Sequence, residues 1–278
     1  MSIWLLPFLS FFISFFTSMA GISGAFLLLP LQISLLGLTT PAVSATNFLY
    51  NIIGCPGGII SYLRQGRLIW PLAWLISLAT LPGILLGYYI RLRFLPDPAN
   101  FKLFVAFVLL YLAGRLFLDL CQGPGSRKKR GPRPATSMPH ISYSFQGRNY
   151  QVNAPLLGAY SLLIGIIGGI YGIGGGALIM PFCVSMLGLP VASVAGATLF
   201  ATFIASICGV GIYSLVPIYQ GQTAPPHWLI GTMLGLGGLL GMSLGARYQR
   251  FVPERAIKTV LALILLLLAG RYIWAGLT

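Results

Sequence analysis

Apolar positions fall along the chain in long blocks separated by short polar breaks, and one stretch from Asp119 to Val152 is mainly polar. The blocks cover residues 3–20, 25–37, 41–61, 70–90 and 100–118 before that stretch, and 155–171, 177–189, 191–215, 228–246 and 256–276 after it. A helix needs roughly 20 mostly apolar residues to cross a bilayer, and most of the blocks approach that length. Runs such as Leu103 to Leu118, apolar but for Arg115, lack the in–out alternation of a membrane barrel. The pattern predicts an all-α polytopic membrane protein.

The two sets of blocks repeat each other. Gly21-Ile22-Ser23-Gly24-Ala25 leading to Pro30 lies over Gly172-Ile173-Gly174-Gly175-Gly176-Ala177 leading to Pro181, 151 residues on. The same spacing sets Ser34–Leu38 over Ser185–Leu189. After a slip of one, Ala45-Thr46 and Phe48 meet Ala197-Thr198 and Phe200. Further on, Gly83 and Gly87 match Gly241 and Gly245, and Ala113-Gly114-Arg115 matches Ala269-Gly270-Arg271. Matches that keep their order through both halves indicate duplication: a first transmembrane repeat at 1–118, a basic linker at 119–154 and a second repeat at 155–278. The second block of each repeat is short and follows a glycine break, as a re-entrant or broken helix would.

Charge changes the picture in one respect. The chain carries 17 Lys and Arg against three acids, a net charge of +14, with 7% charged and 57% hydrophobic residues. A soluble domain has about 25% charged residues, so a soluble globular protein is excluded. Apolar blocks separate the bases, which excludes a continuous nucleic-acid-binding face. Six basic residues, Arg127, Lys128, Lys129, Arg130, Arg133 and Arg148, gather in the linker. That places the linker in the cytoplasm of a cell (inner) membrane, with the Arg127–Arg133 cluster against anionic lipid headgroups. Both termini then fall outside the cytoplasm, and equivalent loops fall on opposite sides, which makes the repeats inverted. Arg91, Arg93 and Asp97 fall outside and fit this orientation poorly. Residues 3–18 lack the preceding positive charge of a signal peptide and read as a retained helix. Cys55, Cys121, Cys183 and Cys208 have neither metal-ligand nor disulfide-motif spacing. No cofactor is expected, and the chain is compatible with a monomer or an oligomer.

The candidate chemistry lies at the glycine breaks. Gly21, Ser23 and Gly24, and Gly172, Gly174, Gly175 and Gly176, permit an unwound backbone, after which a short helix starts with unpaired N–H groups and a positive dipole end. Such paired breaks near the midplane suit an anion in a secondary transporter; close helix packing is the plainer role of the same glycines. Thr46, Asn47, Asn51 and Thr198, on the following helices, are candidate donors to substrate oxygens, or else bonds between helices. No acid, base or His lies at the centre of an apolar block, so a proton relay is not evident. A potential alone can drive anion efflux.

Gly172–Pro181, with Leu187-Gly188-Leu189 and Ala195–Phe200, resembles the sulfite exporter TauE/SafE family of membrane transporters, and Gly21–Pro30 with Ala45–Asn47 is its weaker N-terminal counterpart. The resemblance implies transport of small sulfur-containing anions, such as sulfite, organosulfonates or thiosulfate, with Gly174, Gly175, Gly176, Thr198, Thr46 and Asn47 lining the path and no bond made or broken. Export of sulfite or organosulfonates is the leading expectation. The alternatives are uptake of thiosulfate or another small anion, with Cys55 or Cys183 at the substrate, and a membrane channel or scaffold.

Overall fold

A computed structural model describes residues 3–121, 140–217 and 223–249, together with isolated positions between 251 and 270. The described residues are mostly helical. A short 3-10 turn at Ile3–Leu5 leads into α1 (Leu6–Met19), α2 (Ala25–Leu36), α3 (Ala42–Arg64), α4 (Trp70–Arg93) and α5 (Pro98–Cys121). A two-stranded hairpin, β1 (His140–Phe145) and β2 (Arg148–Asn153), precedes α6 (Ala154–Tyr171), α7 (Gly176–Ser185), α8 (Val191–Leu215) and α9 (Trp228–Tyr248). Helices α4, α5, α6, α8 and α9 are long and apolar enough to cross a membrane, and α1 and α2 are shorter apolar helices. Most of the expected block at 256–276 and the cluster Arg127–Arg133 lie outside the described residues.

The distribution of side chains is that of a protein dissolved in lipid. Phe8, Phe12, Leu85, Phe107 and Leu240 are exposed, whereas Ser10, Ser14, Asn47, Asn51, Thr198 and Thr202 are buried. Hydrocarbon cannot satisfy a polar group, so polar side chains turn inward to find partners. Helix α3 carries this furthest. It is 23 residues long, and every residue from Val43 to Asn51 is buried, polar and apolar alike.

Small residues set the packing. Gly237, Gly241 and Gly245 of α9 lie against the carbonyls of Pro7, Phe11 and Phe15 of α1, and Gly83 and Gly87 of α4 lie against those of Leu162 and Ile166 of α6. Gly165 and Gly169 return the contact on Thr80 and Ile84. In both pairs the helices run parallel, and a Cβ at any of these glycines would overlap backbone. Close approach through small residues is how membrane helices associate without a hydrophobic drive. Glycines matched in the sequence therefore make matched contacts: α1 packs on α9 as α6 packs on α4.

The linker departs from expectation. Its final residues form a hairpin rather than a loop, closed by Gln146 (φ 50°) and Gly147 (φ 72°) with Phe145 opposite Arg148. Two left-handed residues give the turn that matches strand twist. Tyr143, Phe145 and Val152 are buried, and Asn153 ends the hairpin by accepting the Leu156 N–H at 3.0 Å to cap α6. The Tyr143 hydroxyl meets Ser193 Oγ of α8 at 3.1 Å. Burial pushes the Tyr143 hydroxyl up to about 12. The unfolded phenol ionises near pH 10, so the stability that goes with keeping the buried phenol neutral is fully present below pH 10 and is lost as pH rises from there to about 12. Tyr143→Phe should cost about 0.5–1.5 kcal/mol and remove the alkaline step. Limited proteolysis of the hairpin between pH 8 and pH 12 measures both; an unchanged alkaline step in the variant would assign it elsewhere.

Candidate functional site

The first break follows α1. Gly21 is left-handed (φ 76°), and a Cβ there would overlap the side chains of Ala195 and Met180. Its carbonyl accepts from Thr198 Oγ1 of α8 at 3.2 Å. Helix α2 then starts behind Gly24, whose N–H donates to the Tyr50 hydroxyl of α3 at 3.1 Å; that hydroxyl also contacts Ser14 Oγ at 2.8 Å. Asn47 Nδ2 donates to the Ala25 carbonyl at 2.9 Å, and its Oδ1 accepts from Gln32 Nε2 at 3.3 Å. Ser23 Oγ is buried without a partner among the described residues.

The second break follows α6 with Gly172, Gly174 and Gly175 all left-handed, at φ 84°, 72° and 86°. Asn51 Nδ2 of α3 donates to the carbonyls of Gly172 at 3.5 Å and Ile173 at 3.3 Å. The Gly176 N–H, opening α7, donates to Thr202 Oγ1 of α8 at 3.2 Å. On the approach, Ser44 Oγ donates to the Ile170 carbonyl and the Tyr213 hydroxyl to the Gly169 carbonyl, both at 2.8 Å. Ser206 Oγ, beside Gly174, is buried without a partner among the described residues.

The two breaks are built alike and joined crosswise. Each short helix is capped by a hydroxyl 26 residues downstream, Tyr50 for Gly24 and Thr202 for Gly176. Helix α8 holds the first break through Thr198, and α3 holds the second break through Asn51. The Tyr171 hydroxyl, on the Phe26 carbonyl at 2.8 Å, ties the end of α6 to the start of α2.

The family described as Sulfite exporter TauE/SafE matches residues 6–272. The chain belongs to the sulfite exporter TauE/SafE family. It is similar to the probable membrane transporter protein YunE of Bacillus subtilis (strain 168), 22% identical over 94% of this chain and 93% of that protein. It is also similar to the probable membrane transporter protein ORF9 of Sinorhizobium sp, 24% identical over 94% of this chain and 88% of that one. A probable membrane transporter protein of Xylella fastidiosa (strain 9a5c) is 24% identical over 94% of this chain and 91% of its own. No solved structure matches. The chain is thus an integral membrane transporter of TauE/SafE type, with a bilayer around it and a small anion as its general class of substrate.

Within this TauE/SafE transporter the expected residues divide. Gly21, Gly24, Asn47, Asn51, Gly172, Gly174, Gly175, Gly176 and Thr198 meet at or beside the breaks. Thr46 does not: its Oγ1 donates to the Ala42 carbonyl of its own helix and accepts the His227 N–H at 2.9 Å. Unpaired N–H groups were expected where the short helices start, near Ala25 and Ala177; there the N–H groups of Gly24 and Gly176 are held by hydroxyls. Sequence reasoning passed over Gln32, Ser44, Tyr50, Thr202, Ser206 and Tyr213. The shared 26-residue spacing of Tyr50 and Thr202 from their glycines was the available signal for two of them. Arg91, expected in a loop, lies in the last turn of α4 and is 0% exposed. The side chains bonded to the breaks are uncharged, and no group of His, Cys, Asp or Glu able to hold a metal occurs among the described residues.

Proposed function

We propose that this transporter exports small sulfur-containing anions, sulfite or organosulfonates, across the cytoplasmic membrane by alternating access. The observation that carries the reading is the crosswise pair of glycine breaks: two short helices start inside the protein, each capped by a hydroxyl and each held by a helix of the other repeat. Neutral hydroxyl and amide donors at two positive helix ends can exchange their present bonds for bonds to an oxyanion. Ser23, Asn47, Asn51, Thr198 and the glycines of both breaks form the path in this reading, with the two repeats inverted and rocking about it. Ser23 and Ser206 add hydroxyls that are buried without partners among the described residues. The linker lies in the cytoplasm with its basic cluster on anionic headgroups, and both termini lie outside.

With the cytoplasm negative, each exported negative charge gains about 2.3 kcal/mol per 100 mV, so no proton or sodium gradient is required. Purified protein in liposomes should move sulfite and methanesulfonate with saturation, faster under an imposed potential, and undiminished when proton and sodium gradients are collapsed. Strict dependence on either gradient would overturn the mechanism, and flux that never saturates would indicate a channel. One observation favours a second reading, uptake of thiosulfate: Cys55 Sγ lies 3.9 Å from Asn51 Oδ1. Inward thiosulfate flux lost in Cys55→Ala would support that reading instead.

A further inference from the structure

Arg91 sits where a cation needs a counter-charge, and no described residue supplies one. Its side chain is 0% exposed. The guanidinium carbon stands 3.6 Å from the centre of the Phe101 ring, so one face is covered. Nη1 donates to the Leu95 carbonyl. Nε and Nη2 are buried with no hydrogen-bond partner among the described residues. The chain has three acidic residues in all, and none forms an ion pair with Arg91 among the described residues; Asp97, six positions on, accepts the Ala99 N–H instead.

The position of this cation relative to the breaks follows from the α4–α6 contact. Gly83 lies against Leu162 and Gly165, and Gly87 one turn later against Ile166, Gly169 and Ile170. One further turn brings α4 to Arg91 and the parallel α6 to its end at Gly172. Tyr213, within electrostatic reach of Arg91, donates its hydroxyl to the Gly169 carbonyl just before the second break. Tyr88 packs on Tyr213 with ring centres 4.5 Å apart and closes the same cluster.

Nε and Nη2 form one edge of the guanidinium, two parallel N–H donors spaced for two oxygens of a single planar or pyramidal oxyanion. The other groups of Arg91 are engaged, by a carbonyl and by an aromatic face. A buried charge left unpaired is strongly unfavourable, and a bound anion would remove that penalty. We propose that Arg91 is an anion-binding residue, its Nε/Nη2 edge holding two oxygens of a small oxyanion next to the second glycine break. This rests on the transport reading above for its role in the path: the anion passes between the neutral donors of the break and this fixed cation. A compact sulfite, sulfonate or sulfate group fits the two-donor edge, whereas chloride, with one centre, cannot use both donors with good geometry.

The test uses the purified full chain, with methanesulfonate, sulfate and chloride as probes. Small oxyanions should raise the unfolding temperature of the wild type with saturation, and chloride should do so far less. Arg91→Lys keeps the charge and loses the edge, so its apparent Kd for methanesulfonate should rise about tenfold or more. Arg91→Met loses both and should show no saturable stabilisation, while eluting as a folded species. Absence of stabilisation in the wild type, or an unchanged Kd in Arg91→Met, overturns the proposal; should Arg91→Met fail to fold, an unchanged Kd in Arg91→Lys overturns it. Liposome flux separates the two readings. A wild type that binds but moves no anion leaves the Arg91 site standing and ends the transport reading. A wild type that transports, with unchanged KM in Arg91→Lys, ends the Arg91 proposal alone.

Discussion

Gly172→Ala is expected to lower anion flux in liposomes about tenfold or more, whereas Gly188→Ala should leave flux near that of the wild type. Both glycines are left-handed, at φ 84° and 67°, and alanine there costs roughly 1–2 kcal/mol in backbone strain. Their surroundings differ. A Cβ at Gly188 meets nothing within 4 Å, whereas one at Gly172 runs into the backbone of Ser44, at its carbonyl oxygen, carbonyl carbon and Cα. Backbone cannot yield as a flexible side chain can, so α3 must move away from the end of α6. That displacement breaks the Ser44 bond to the Ile170 carbonyl and both Asn51 bonds to the break. The strain common to both variants is read from their unfolding temperatures, and the extra loss of flux in Gly172→Ala reports the close approach. Equal flux in the two variants would remove the second break from the transport path.

The breaks were legible because glycine runs are rare enough to stand out and because they recur 151 residues apart. The short α2 and α7 were legible for a related reason, since neither block can cross a bilayer. What completes the breaks was not. Tyr50 and Thr202 cap their glycines only after α3 and α8 have packed, and a tyrosine and a threonine in apolar helices carry no local mark of that role. Thr46 and Thr198 occupy matched positions in the repeat, yet the segment at His227 packs on Thr46 while the first break packs on Thr198. A sequence repeat cannot distinguish those environments. Arg91 was misplaced by its neighbours: Arg93 and Asp97 made the stretch look like a charged loop, and the counting of loop charges assumed that every arginine there meets water. The cover provided by Phe101 removes Arg91 from that count. The hairpin failed for the opposite reason. Its polar composition obscured the alternation of Tyr143, Phe145 and Val152 about the Gln146–Gly147 turn, which is itself a strand signal.

Asn51→Asp should have a larger effect still, with a pH signature that a packing defect cannot produce. Asn51 is fully buried and its Nδ2 faces two carbonyl oxygens, those of Gly172 and Ile173. A carboxylate of the same shape has no N–H to donate, and it sets negative charge against both oxygens in a site shut off from water. The effective penalty for such an ion is several kcal/mol, so the pKa of the introduced carboxyl rises. Because its folded value lies above its unfolded one, stability is retained at low pH and lost as pH rises past the unfolded value. The ionised form also repels the anion that the break is proposed to receive. At pH 8 the variant should therefore be poorly stable and inactive. On acidification the neutral acid regains one donor, and both stability and flux should recover in part. Asn51→Leu removes the donors without adding a titrating group and should show no recovery. Methanesulfonate is the appropriate probe, since its own charge is constant over this range while that of sulfite is not. Wild-type flux in Asn51→Asp at pH 8 would mean that Asn51 does not hold the second break during transport. Equal recovery in both variants would place the titrating group elsewhere.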